Sequence, residues 1–451
     1  MTIESGTRRD VGAAVAAVLL VAVAAVVGTY IERTDGTLHV GWPPLYANWL
    51  PHLGPGTPAA LAIAVAVTAY GPALAARLPW RALLAASAAA SLGWILSLAL
   101  IDGWHRGIAR RLTTKYEYLQ VIDRFNDIPA TLRDYTNHIL IESPDHWPAH
   151  IAGHPPGAVL TFVGLDRIGL GGGAWAGMWC IVLAASAAVA VLVTLRALTD
   201  ETLARRAAPF LVLAPAAVWT GASADGYFAA VAAWAIALLT LAATRKARRP
   251  VVAAVGSGLL FGLTVYLSYG LTLIAVVALA VLAVTRTLRP LPYVVAGALV
   301  VPLAFTLLGF NWWEAYRILV ERYYQGAGGI RPYWYWIWAN LACTVLVVGP
   351  ATVAGLRRAV ASTPLNLREV RAVRGTSTSA ARVALLTLAA LLALAIADLS
   401  GMSKAETERI WLPFALWLLP ATALLPGSRR AWLTAQAGLA LLLNHLLLTG
   451  W

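Results

Sequence analysis

The chain of 451 residues is 60% hydrophobic and 12% charged, far from the roughly one-quarter charged make-up of soluble domains, which excludes a soluble protein of two or three domains. Its formal charge is +13 and its mean hydropathy +0.71, so the surplus of Lys and Arg is explained first by cytoplasmic loops of a membrane protein and not by nucleic acid. Cys180 and Cys343 both lie inside apolar runs, which excludes a disulfide framework or a thiolate zinc site.

Arg8, Arg9 and Asp10 precede an apolar run from Val11 to Tyr30 with no small-residue cleavage site after it, as expected of a first span entering from the cytoplasm. Breaks at Pro, Gly and charge clusters place spans near 11–30, 58–76, 82–101, 174–195, 207–222, 227–244, 251–268, 270–285, 291–310, 336–355, 383–398, 410–426 and 431–448. The expectation is an all-α polytopic membrane protein of about thirteen spans, one domain over 1–451, with juxtamembrane helices on its outer face. Threaded from a cytoplasmic start, 21 of the 34 basic residues fall inside with five acids, and 13 basic and 16 acidic residues fall outside. That is the asymmetry of the positive-inside rule.

Seven of the eight histidines, His39, His52, His105, His138, His146, His150 and His154, then lie in outer loops, and His445 lies in the outer half of the last span. Ionisable groups are costly in hydrocarbon, so their distribution marks the outer face as the working one. The longest outer loop, counted over 102–173, carries Glu117, Asp123, Asp127, Asp134, Glu142 and Asp145 in KYEYLQVIDRFNDIPATLRDYTNHI, with Tyr118, Ile122 and Phe125 at helical spacing. Short amphipathic helices resting on the membrane fit that pattern, and so does an ordinary solvated cap whose acids balance Arg110, Arg111, Lys115, Arg124 and Arg133. His146, His150 and His154 have the spacing of a zinc-binding helix, which Pro148, Gly153 and Pro155 interrupt. Pro155–Leu170, with Asp166, Arg167 and the Gly169–Gly173 break, reads as a juxtamembrane helix that does not cross.

Further along, Asp225 in GASADGYFAA opens an otherwise apolar span, where a carboxylate either caps the helix or works in a site. The segment NWWEAYRILVERYYQGAGGIRPYWYWIW has the aromatic density of an interfacial belt. GAGGIRP adds Arg331 beside stacked aromatics, which suits a phosphate or a sugar face. In SGMSKAETERIWLPF, Lys404, Glu406, Glu408 and Arg409 crowd a short outer turn, and cations on that side call for a compensating anion such as a lipid-linked phosphate.

The phrases EYLQ, AGHPPGAVLTFVGLDRIGL, SADGYFAAVAAW, LSYGLTL, QGAGGIRPYWYW and SKAETERIWLPF, with the acid-bearing first large loop, resemble the glycosyltransferase-C superfamily over nearly the whole chain from Asp102 onward. The layout is similar to that of lipid A aminoarabinose transferase and the protein O-mannosyltransferases. The phrases resemble an actinobacterial branch that includes the methylthioxylose transferase of mycobacterial lipoarabinomannan. The resemblance implies a multi-pass enzyme of the cell membrane with an extracytoplasmic site. It would transfer a sugar, with inversion, from a polyprenyl phosphate (decaprenyl phosphate in that branch) to an envelope polysaccharide or glycolipid.

It further implies a general base in the first loop, matched by Glu117, with Asp123 and Asp127 in reserve and Glu32 and Asp35 in competition because of the extra hairpin at Pro58–Ile101. Asp225 matches the second outer-face acid. Lys404, Arg409 and Arg331, in the loops 311–335 and 399–409, match the donor phosphate site together with His154 of the 102–173 loop, which stands where the aminoarabinose transferases have Lys before Pro-Pro. Glu408, Tyr269, Tyr333 and Trp334 fall in the substrate cavity. No tightly bound cofactor is implied, and a divalent cation is left open. A transporter or flippase for a lipid-linked saccharide is the rival reading, against which stand the almost purely Ala, Val and Leu inner halves of the spans and the lack of an inverted repeat. A noncatalytic envelope scaffold is the third reading.

Overall fold

The computed structural model describes residues 3–372, 378–426 and 429–450; part of the basic 357–382 loop, residues 373–377, lies outside the described residues. Eight of the described helices are long and apolar enough to cross a membrane, and nine if the bent pair Leu291–Leu307 and Trp312–Gln325, which meet at 79°, is one span. The remaining expected spans are shorter or interrupted, so the count of thirteen is not reached. Pro209 and Pro215 divide the 207–222 region into the helix Glu201–Val212 and a 3-10 turn at Pro215–Val218. Tyr269–Thr285 and Leu412–Leu424 are apolar but under 18 residues. Arg429–Leu446 carries Arg429, Arg430, Gln436, Asn444 and His445 along its 18 residues.

Gly157–Arg167 has 11 residues, about 16 Å at 1.5 Å per residue, and is too short to span roughly 30 Å of hydrocarbon. It is the expected short element. The 102–157 loop is less regular than its amphipathic pattern suggests: a π turn at His105–Ala109, 3-10 turns, and the helix Ile128–Asp134.

The most enclosed spanning helix is Ala224–Ala243, apolar on every side and packed by Gly173–Leu198 and Pro250–Leu267. Pro250–Leu267 crosses Leu291–Leu307 through glycines: a Cβ on Gly258 would lie 2.1 Å from the Val294 carbonyl, and one on Gly297 2.3 Å from the Val255 carbonyl. The first helix packs along Tyr333–Ala372, which breaks at Gly349 (φ 77°). Gln436 repairs that break by donating to the Val348 carbonyl at 2.8 Å and accepting from the Ala351 amide at 3.3 Å.

Polar groups sort to the two ends of the bundle. At one end Asp10 pairs with Arg357 and Arg358, Arg205 donates to the Ala75 and Leu78 carbonyls, Lys246 to Ala197, and Arg382 to Leu198. At the other, strand Ala47–Trp49 pairs antiparallel with Leu447–Thr449, and the 38–52, 102–157, 311–335 and 399–409 segments touch one another.

Candidate active site

Glu117 stands in extended backbone immediately before the 3-10 helix Tyr118–Phe125. That helix buries Tyr118, Val121 and Phe125; Tyr118 stacks on Phe162 at 5.3 Å, Phe125 on Trp147 at 5.8 Å, and the Arg124 guanidinium covers Trp147 at 3.5 Å. With the apolar face anchored, Glu117 points inward and its side chain is 6% exposed. One oxygen, Oε1, lies 2.9 Å from His150 Nδ1. The other, Oε2, is buried and has no hydrogen-bond partner among the described residues.

His150 belongs to the short helix Ala149–Ala152 that Pro148 initiates. Its backbone amide donates to the Tyr116 carbonyl at 3.1 Å, which ties it to the residue beside Glu117. Its Nε2 faces Arg409 Nη2 at 3.1 Å.

Arg409 is the hub. Nη1 donates to Asp225 Oδ2 at 2.5 Å, and Nη2 donates to Glu406 Oε2 at 2.8 Å. Asp225 lies in the first turn of Ala224–Ala243, where Ser223 Oγ accepts from its amide at 3.2 Å and the helix dipole favours a carboxylate. Ala405 and Glu406 both adopt the left-handed region, with φ 70° and 62°, a strained pair that turns the Glu406 carboxylate onto Arg409. Burial raises the Glu406 pKa, but the charges of Arg409 and Arg331 outweigh it and hold the group below the usual range. Burial likewise opposes the Arg409 charge, and Asp225 and Glu406 overcome it.

Glu117, Asp225 and Arg409 line one narrow cleft with Arg111, Leu112, Tyr118 and His150, with a cavity volume of about 10 Å³, room for roughly one water. Arg111 was visible in the sequence only as a counter-charge. Here it donates to Asp102 Oδ2 and to the Thr449 carbonyl, both at 2.8 Å, and its Nε is buried without a hydrogen-bond partner among the described residues. His150 carried one signal, its spacing with His146 and His154. That spacing does not make a zinc site: no group of three His, Cys, Asp or Glu that could hold a metal exists among the described residues.

The other expected residues take different places. Asp123 and Asp127 are exposed, and Asp127 caps Ile128–Asp134 by accepting from the Ala130 amide at 3.0 Å. Glu32 accepts from the Leu38 and His39 amides at 2.9 and 3.0 Å, a turn-holding role, and Asp35 is exposed. His154 donates from Nδ1 to the His150 carbonyl at 2.7 Å, and burial lowers its pKa to about 4. It is neutral at pH 7, so the expected phosphate role has no charge to rest on.

Arg331 is buried and donates to the carbonyls of Leu38 at 2.9 Å and Lys404 at 2.8 Å, with Glu406 at 3.5 Å. Lys404 Nζ donates to Gly328 O at 2.9 Å and lies 5.4 Å over the Tyr324 ring. Glu408 is wholly buried, accepting from the Tyr46 amide at 2.9 Å. Tyr269 packs on Trp312 and Tyr316, Tyr333 donates to the Leu399 carbonyl at 3.3 Å, and Trp334 is exposed; neither these three nor Glu408 lines the Glu117 cleft.

No family model matches the chain, and no curated protein matches it. Among solved structures the chain is similar to that of the Archaeoglobus fulgidus oligosaccharyltransferase in complex with Zn and sulfate. The identity is 14% and the TM-score 0.45, over 80% of this chain and 50% of the other. The chain thus spans about half the length of that protein, and a likeness of this size assigns neither a family nor an activity.

Proposed function

We propose that the chain is a membrane glycosyltransferase that moves a sugar from a polyprenyl-phosphate donor to a hydroxyl of an envelope glycan or glycolipid on the extracytoplasmic face. The observation that carries this reading is Glu117, a buried carboxylate in the wall of a cleft, with one oxygen held by His150 and the other without a hydrogen-bond partner among the described residues. In the proposed step Glu117 Oε2 takes the acceptor hydroxyl proton as that oxygen bonds to the anomeric carbon. The bond from that carbon to the phosphate oxygen breaks, and the polyprenyl phosphate leaves with the electron pair.

Lys404 of the 399–409 turn supports the leaving phosphate electrostatically, because a single carbonyl occupies its ammonium. Arg409 is committed to Asp225 and Glu406, so its part is to fix the cleft wall. The donor set does not fit a resident divalent cation, because a guanidinium stands between those two acids. The test is transfer from synthetic polyprenyl-phosphate sugars by purified protein. Glu117→Gln should lower turnover by roughly 10²–10⁴-fold with donor binding retained. Wild-type turnover in that variant ends the assignment of the base.

A further inference from the structure

We propose that His150 is a positioning residue that sets the orientation of Glu117, held as the neutral Nδ1–H tautomer between Arg409 and that carboxylate. The inference rests on the reading of Glu117 as the base and adds a residue that neither composition nor resemblance assigns. A guanidinium has only donors, so at 3.1 Å from Arg409 Nη2 the His150 Nε2 must present its lone pair. The imidazole proton is then on Nδ1, which lies 2.9 Å from Glu117 Oε1 and donates to it. Both ring nitrogens are thereby committed, and the tautomer is fixed by its neighbours.

The backbone is held as firmly. The His150 amide donates to Tyr116 O at 3.1 Å, and its carbonyl accepts from His154 Nδ1 at 2.7 Å. The Tyr118 ring stands 6.1 Å away. His150 therefore moves with the Glu117 segment on one side and with the Arg409, Asp225 and Glu406 cluster on the other, joining two parts of the chain 259 residues apart.

The chemistry explains why an imidazole is interposed. A guanidinium in direct contact with a carboxylate favours the charged form and weakens a base. A neutral imidazole passes on the orientation without placing the full charge against the carboxylate, and it occupies Oε1 so that Oε2 is the oxygen left for the acceptor.

Two measurements test this. In protein labelled with ¹⁵N-histidine, the His150 resonances, assigned by their loss in His150→Asn, should show Nδ1 protonated and Nε2 unprotonated at pH 7.5. The reverse tautomer overturns the proposal, whatever the variants do. In transfer assays His150→Ala should lower kcat by about 10²-fold, the penalty of a misplaced catalytic group, with KM for the donor within about twofold. His150→Asn, which keeps an N–H near the Nδ1 position, should restore most of kcat, and His150→Gln, whose amide lies near Nε2, should not. Wild-type kcat in His150→Ala, or equal rescue by Asn and Gln, overturns the positioning role while an inactive Glu117→Gln leaves the base assignment standing. Full activity of Glu117→Gln would instead remove the base itself.

Discussion

Replacing Arg409 with alanine takes the cation out of a cluster in which Asp225 and Glu406 face the guanidiniums of Arg409 and Arg331, and the side chains of Arg409 and Asp225 are each only 7% exposed. Removing one partner of a buried pair strands the other charge, at a cost of about 3–5 kcal/mol. Asp225→Asn should cost less, about 1–3 kcal/mol, because an amide still accepts from Nη1 and Glu406 remains on Nη2. In Asp225→Asn/Arg409→Ala the carboxylate that the first change strands is no longer charged. The two changes should therefore be non-additive by about 1–3 kcal/mol, with the double variant more stable than the sum predicts.

Thermal unfolding in detergent, followed by tryptophan fluorescence, reads the effect, since buried Trp411 lies two residues beyond Arg409. Arg409→Ala should lower Tm by about 3–5 °C, from that cost and an unfolding entropy of about 2.1 cal/mol/K per residue. Arg409→Lys should recover little, as one ammonium does not reproduce a fork that serves Asp225, Glu406 and His150 together. An unchanged Tm in Arg409→Ala, or strictly additive effects in the cycle, would refute the hub.

Glu408 supplies a pH test: burial pushes its carboxyl up to about 7, against 4.5 for the ordinary group. The unfolded chain sheds this proton near pH 4.5 while the folded chain keeps it to about pH 7, so this group makes stability fall as pH rises between those values. Glu408→Gln should flatten that limb and raise Tm at pH 8 relative to wild type; an unaltered pH slope removes the assignment. Lys404→Ala should weaken binding of a polyprenyl-phosphate sugar at least tenfold, in line with about 1.5–3 kcal/mol for a hydrogen bond to a charged group. Equal affinity in a direct binding titration would move the phosphate elsewhere. Glu321→Cys should react with a membrane-impermeant maleimide added outside, and Arg289→Cys should not. The background is low because both native cysteines are buried, and the reverse pattern inverts the proposed topology.

The membrane character, the short non-crossing helix after Pro155 and the polar outlying segments were legible in the sequence, because hydropathy, charge and proline act locally along the chain. Glu117, Asp225 and Arg409 also stood out there, as ionisable groups among apolar neighbours. Tertiary structure alone decided their partners: Arg409 meets Asp225 across 184 positions and His150 across 259, separations on which no local pattern depends. It also decided which acids keep an oxygen without a partner among the described residues. Asp127 and Glu32 look as reactive as Glu117 in one dimension, yet backbone amides occupy both, and a buried, unpartnered oxygen is left only once the chain has folded around it. The interruption of the 207–222 region has the same origin: apolarity marks what is buried, but Pro209 and Pro215 break the segment into short pieces that lie buried within the protein.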